Sequence, residues 1–279
     1  MNTALLHDGR MITASEYNFN YHGTRLYCVD KNCHVPVIFV PGTESVTPYF
    51  KTTGKNNSKH KPSCAFFKPL SFEESIVKVA EFQEDYLNHK GFKKNVIRLN
   101  LNKLDPDFES KTREIEKKKE NPVNPNEIKT KQESTTPKSI TSLKSIVKLI
   151  NSYEPDVLAT ILIQVKGNKI PLSQVILSPD KAHELLWNNQ IIDSFSYLVY
   201  GTVDHVNRRK KVYYINLKPV NNVLFSLVVF DKYFKHFTYT NEQLIGKSIL
   251  AWGILRCNTY QNKNTSEMLI KSNQYLEFL

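Results

Sequence analysis

Apolar positions along this chain change their spacing as the sequence proceeds, and each spacing predicts a different kind of element. Near the start they come in short clusters around Arg25 to Cys28 and Pro36 to Val40, which predict brief strands. From Phe72 to Leu87, "FEESIVKVAEFQEDYL" sets Ile76, Val79, Ala80, Phe82 and Leu87 close to helical spacing. Ser71 stands as the N-cap of that helix, with Glu74 three residues on. The strand-like "NVIRLNL" follows at Asn95 to Leu101. Further on, "SITSLKSIVKLINSY" places Leu143, Ile146, Val147 and Ile150 on one helical face. "VLATILIQVKGNKIPLSQVIL" reads as two strands about the turn Gly167-Asn168. In "SPDKAHELLWNN", Ser178 as N-cap, Pro179 at the first helical position and Asp180 beside it start another helix.

From Ser194 onward the apolar period becomes two. "SYLVYGTVDHV", "KVYYINLKP", "VLFSLVVFD", "KSILAWGILRC" and "MLIKSNQYLEF" are five β-rich runs, and the longest insertion, "KYFKHFTYTNEQLIG", separates the third from the fourth. Three strands, a short helix and two more strands is the order of a small Greek-key barrel. Gly201 and Gly253, inside these runs, suit the bends that let barrel strands coil.

Residues 105–138 interrupt the pattern. They hold Pro106, Pro122, Pro125 and Pro137 and almost no aromatic residue, the composition of a linker. Their eight basic and eight acidic residues cancel, whereas 14 basic and 9 acidic residues give +5 to residues 1–104. Sixteen basic and 10 acidic residues give +6 to residues 139–279. The net charge of +11 therefore resides on the folded parts, as a surface for a polyanion requires. His7, Asp8 and Arg10 interrupt what would be the apolar core of a signal peptide, and no segment approaches the roughly 20 apolar residues of a membrane span. The sequence predicts a cytoplasmic protein with no membrane partner, in a compartment where clustered cysteines point to metal rather than to disulfides.

Three of the four cysteines lie between Tyr27 and Cys64. Cys28, Cys33, His60 and Cys64 are spaced C-x4-C, 26 residues, H-x3-C: two short loops that can close a tetrahedral site. Four protein donors leave no position for water, so the expected ion is a structural zinc; His34, next to Cys33, competes with His60 for the fourth place.

Two stretches carry resemblances. "TALLHDGRMITASEYN", "YCVDKNCHVPVIFV", "PYFKTTG" and "HKPSC" resemble the N-terminal zinc-finger module of the competence protein CoiA family of bacteria and mobile elements, over roughly the first 70 residues. Cys28 and Cys33 stand at that family's first ligand pair, Tyr49-Phe50 at its aromatic pair, and His60 and Cys64 close the site. The first pair is spaced by four residues here rather than two, and the nuclease-like domain of that family is not found. Gly201-Thr202-Val203, the run Leu227 to Phe230, and the pair Gly246 and Gly253 are similar to the OB-fold family in its tRNA-anticodon and single-strand-binding branch, over about 85 residues. That resemblance implies a cationic groove for phosphates with aromatic rings for bases. The matching loop residues are Arg208, Arg209, Lys210 and Lys211 in the first hairpin and Tyr260 and Lys263 in the last. Tyr213 shares parity with Ile215 and Leu217, which leaves Tyr214 to point outward.

Catalytic chemistry has little support. Asp107, Glu109 and Lys111 are the best candidates for a magnesium nuclease, but no strand follows them. "LIGKS" lacks the first phosphate-loop glycine, which would fall at Asn241, and no G-x-S-x-G or G-x-G-x-x-G occurs. The expected protein is α+β: a zinc-binding module over 1–104, a charged linker over 105–138, a helix-hairpin-helix segment over 139–193, and a five-stranded OB-fold-like β-barrel over 194–279. Its expected role is non-catalytic binding of nucleic acid, best fitted by single-stranded DNA, in bacterial or mobile-element DNA metabolism or phage defence. The rival is a protein–protein adaptor that docks a partner enzyme through the zinc module and barrel.

Overall fold

The computed structural model describes residues 1–88, 94–109, 139–165, 167–192, 195–260 and 263–279, with only the backbone of Leu87, Asn88 and Tyr260. Lys111 lies outside them, as does nearly all of the charged stretch. Among the described residues no helix is long and apolar enough to cross a membrane.

The first unit is an antiparallel sheet of β1 (Thr3–Leu6), β2 (Met11–Thr13), β3 (Leu26–Cys28), β4 (Pro36–Val40) and β5 (Tyr49–Lys51), in the order β2-β1-β3-β4-β5, with the short α1 (Phe19–His22) between β2 and β3. Its small core, with Leu6, Leu26, Val37 and Phe50, includes Cys28, Cys33 and Cys64.

The middle unit opens with α2 (Phe72–Asn88). Its capping box is formed as the sequence predicts: Ser71 Oγ accepts from the Glu74 N–H at 3.2 Å, and Glu74 accepts from the Ser71 N–H at 2.8 Å. The buried stripe is Phe72, Ile76, Val79, Phe82 and Tyr86, whereas Ala80, expected inside, is exposed. Gln83 is 2% exposed on the same stripe and fully used; its amide donates to the Ala159 and Ile161 carbonyls and accepts from the Ser173 N–H. After α2 come β6 (Asn95–Leu99), β7 (Ser139–Ile140), α3 (Leu143–Ser152), α4 (Pro155–Ala159), β8 (Ile161–Val165), β9 (Asn168–Pro171), α5 (Leu172–Val175), β10 (Ile176–Leu177) and α6 (Pro179–Trp187). The sheet order is β7-β6-β8-β9, with β6 parallel to both neighbours. Pairing therefore draws residues 72–104 to the middle unit, whereas local pattern groups them with the zinc module; parallel partners 41 and 66 residues apart leave no mark in a short window. Ser178 begins α6 but makes no side-chain cap, because its hydroxyl donates to the Asp180 carboxylate.

The last unit comprises β11 (Tyr197–Arg208), β12 (Val212–Leu217), β13 (Phe225–Phe230), the short α7 (Asn241–Leu244), β14 (Ser248–Gly253), β15 (Leu255–Tyr260), β16 (Lys263–Leu269) and β17 (Leu276–Phe278). The ladders make an eight-stranded sheet, β15-β16-β13-β12-β11-β14-β17 with β10 beside β11, and this sheet is not closed. The fourth β-rich run divides at Ile254: β14 pairs with β11, and β15 with β16. Gly253 marks the division because a Cβ there would lie 2.5 Å from the Leu269 carbonyl oxygen and 2.7 Å from Met268 Cγ. Only glycine lets the two segments come so close.

Candidate functional site

The four predicted ligands meet. The donor atoms of Cys28, Cys33, His60 and Cys64 all lie within 4.8 Å of one another, the one such grouping of three or more donors among the described residues. Cys28 Sγ is 3.7 Å from Cys64 Sγ, while His60 Nδ1 is 3.5 Å from Cys33 Sγ and 3.3 Å from Cys64 Sγ. A tetrahedral ion with bonds of about 2.3 Å to sulfur and about 2.0 Å to nitrogen sets edges of about 3.8 Å between sulfurs and about 3.5 Å between sulfur and nitrogen. The cluster fits a metal ion on that measure. His34 is not part of it: its ring stacks on Tyr27, with centroids 4.7 Å apart.

Both ligand loops are held by one side chain that spacing does not reveal. Asp30, 1% exposed within the first loop, accepts from the Asn32 N–H at 2.9 Å and, across to the second loop, from the Ala65 N–H at 2.8 Å. Lys78 of α2 approaches the same carboxylate at 3.6 Å, tying the metal cluster to the middle unit. A buried carboxylate needs such donors to replace the water it has lost. The Asp in "VDKNC" reads in sequence only as a turn residue, and nothing local shows that its second partner lies 35 residues away.

Proton affinities are unequal across the cluster. Hydrogen bonding from Cys28 pulls the Cys64 thiol down to about 7, making it the readiest thiolate, while the same contact and burial push Cys28 up. Burial also raises Cys33 and lowers His60, keeping the imidazole in the neutral form that a metal requires.

A second arrangement occupies the C-terminal sheet. Residues of β11, β12, β13, β15 and β16 line a concavity of about 420 Å3. Arg209, from the tip of the β11–β12 hairpin, contributes to it, as does Thr265, two residues from Lys263 at the β15–β16 hairpin. Tyr214 lies half-buried in its wall with the Arg209 guanidinium 5.7 Å from the ring centre. Tyr213, on the opposite face, stacks on Phe234 with centroids 3.7 Å apart. The structure separates the two arginines that sequence groups together. Arg208 donates to the Tyr239 carbonyl and to Asn241 Oδ1, and lies 4.5 Å over Tyr213, so it fastens the hairpin to the segment before α7. Lys210, Lys211 and Lys263 are exposed, and the side chain of Tyr260 lies outside those described.

Of the candidate nuclease carboxylates, Asp107 has structural partners. Asp107 accepts from the Tyr233 hydroxyl and from Lys271 at 3.0 Å, and Asp105 holds Lys271 at 2.8 Å. These contacts, which lower Asp107, dock the start of the charged stretch on the C-terminal unit. Glu109 is exposed.

The chain matches no protein-family model and no curated protein. Among solved structures it is similar to Entamoeba histolytica asparaginyl-tRNA synthetase in complex with asparaginyl-adenylate, at 15% identity and a TM-score of 0.21, over 38% of this chain and 23% of that one. Another structure of that synthetase gives 17% identity and a TM-score of 0.20, over 33% and 22%. The chain thus spans less than a quarter of the length of those proteins, and likeness at this level fixes neither fold nor activity. The resemblance of the first 70 residues to the CoiA zinc module has no counterpart among these matches.

Proposed function

We propose that this protein binds single-stranded nucleic acid, with single-stranded DNA as its ligand, and catalyses no reaction. The observation that carries the proposal is the concavity across the C-terminal strands, walled by Tyr214 with the Arg209 guanidinium over its ring, with Lys210 and Lys211 exposed on the adjoining β11–β12 hairpin. Cations near the rim suit phosphates and an aromatic wall suits a base, with each stack contributing about 1–3 kcal/mol. The sheet is not closed, but β14 pairs with β11 and β15 with β16 on either side of Gly253 and Ile254, a strand order that supports an OB-like reading of β11-β12-β13-β16-β15.

Zinc is the ion we assign to the Cys28, Cys33, His60 and Cys64 site, since three thiolates with one imidazole suit its tetrahedral preference. Its role is to hold two loops of a unit with little core. Lys78 and Asp30 pass that rigidity to α2, where the module serves to position nucleic acid or a partner enzyme.

The test is fluorescence anisotropy of labelled single-stranded DNA, duplex DNA and single-stranded RNA at two salt concentrations. Tight, salt-sensitive binding of single-stranded DNA that weakens in an Arg209→Ala, Tyr214→Ala double variant is the expected result. Equal affinity for duplex, or no binding by the intact chain, overturns the reading.

A further inference from the structure

We infer that the concavity on the C-terminal sheet reads bases, accepting one that carries an exocyclic amino group and discriminating against thymine and uracil. This rests on the proposed strand-binding function and deepens it.

Residues directly opposite one another across four successive strands are all polar. His205 on β11 pairs with Asn216 on β12, Asn216 with Ser226 on β13, and Ser226 with Glu267 on β16. Binding that tolerates every base needs cations and ring faces only, and a carboxylate on the floor of such a groove would repel phosphate. An acidic, hydrogen-bonded row suits a base edge instead.

The row has a defined direction. His205 Nδ1 lies 2.8 Å from the Asp204 carboxylate, which places the ring proton there. Nε2 then accepts a hydrogen bond from the Asn216 amide N–H at 3.1 Å. The Ser226 hydroxyl donates to Asn216 Oδ1 at 2.7 Å, so the Ser226 oxygen presents lone pairs. Glu267 Oε1 accepts from the Asn258 amide, and its other oxygen has no hydrogen-bond partner among the described residues. Arg256, opposite Glu267 on β15, lies near the Phe230 ring at 6.0 Å and makes no ion pair with Glu267.

Ser226 and Glu267 both line the concavity, and the Ser226 oxygen and the outer Glu267 oxygen are there to accept. Cytosine, adenine and guanine offer an amino group to such acceptors, whereas thymine and uracil present carbonyl oxygens on both sides of a single N–H. Tyr214 stands two residues from Asn216 on the same face of β12, which sets a ring beside the row for the base to stack on. A space of about 420 Å3 is in the range of pockets that enclose one small ligand.

The experiment titrates the full chain with labelled oligo-dC and oligo-dT of equal length, alongside Glu267→Gln, Ser226→Ala and Tyr214→Ala variants whose folding is checked by circular dichroism. Oligo-dC should bind about tenfold more tightly than oligo-dT. Glu267→Gln and Ser226→Ala should each reduce that ratio, while Tyr214→Ala should weaken both oligomers alike. Equal binding of the two by the wild-type chain, or an unchanged ratio in folded Glu267→Gln and Ser226→Ala, overturns the inference and leaves strand binding standing. Absence of binding to either oligomer overturns the strand-binding reading and this inference with it.

Discussion

Replacing Asp30 by asparagine changes no metal ligand, yet it should loosen the metal. The carboxylate is 1% exposed and accepts two backbone N–H groups, one from each ligand loop, with Lys78 at 3.6 Å. Asparagine keeps one acceptor oxygen and turns an NH2 group toward the remaining donor, so one buried N–H loses its partner at a cost of about 1–3 kcal/mol. Metal-bound and unfolded chains differ by the ordering of these loops, so the loss is expected in metal affinity. It corresponds to roughly 10–100-fold, the range seen when the support of a ligand is removed. Competition against a chromophoric chelator measures the affinity, with Cys33→Ser as the reference for loss of a true ligand. Lys78→Met should weaken the metal less, since its nitrogen is at 3.6 Å rather than at hydrogen-bonding distance. An Asp30→Asn chain that holds metal as tightly as the wild type would refute the idea that this carboxylate organises the two loops.

Other substitutions test separate parts of the fold. Gly253→Val puts a side chain where the Leu269 carbonyl and Met268 already sit, and should lower stability by about 1–3 kcal/mol, read as a fall in Tm of several degrees; an unchanged Tm would show that the strands are not so closely apposed. Arg208→Ala should lower Tm by roughly 2–4 °C with single-strand affinity reduced only modestly, whereas Arg209→Ala should weaken binding with Tm unchanged. Burial and the neighbouring Glu154 charge push Asp156 up to about 6 from 3.8 although it accepts from the Asn2 and Thr3 N–H groups. The folded chain therefore binds this proton more tightly than the unfolded one, and stability from this group is fully present below about pH 4 and lost as pH rises through 6, by about 3 kcal/mol. Denaturant titrations of Asp156→Asn should show a correspondingly flatter pH dependence over that window, and a profile parallel to wild type would contradict the assignment.

What could be read without coordinates followed the range over which each signal acts. Ligand spacing within each loop, the Ser71 and Glu74 capping box, and the hairpin about Gly167 depend on neighbours a few residues apart, and the structure forms all three. The place of α2 and β6 was not legible, because β6 finds its parallel partners at 139–140 and 161–164, beyond the charged stretch. Parity separated Tyr213 from Tyr214, but no local pattern could show that Arg208 reaches residues 31 and 33 positions later while Arg209 turns to the concavity. Asp30 and the row from His205 to Glu267 escaped for the same reason. Each is defined by pairing across strands or loops, and each of its members taken alone looks like an ordinary polar surface residue.

Hydrogen exchange of the full chain with and without a single-stranded DNA oligomer tests most directly where the ligand is held. The account predicts that added protection concentrates in β12, β13 and β16 and in the β11–β12 hairpin around Arg209. Protection confined to the N-terminal sheet, or none at saturating oligomer, would contradict it.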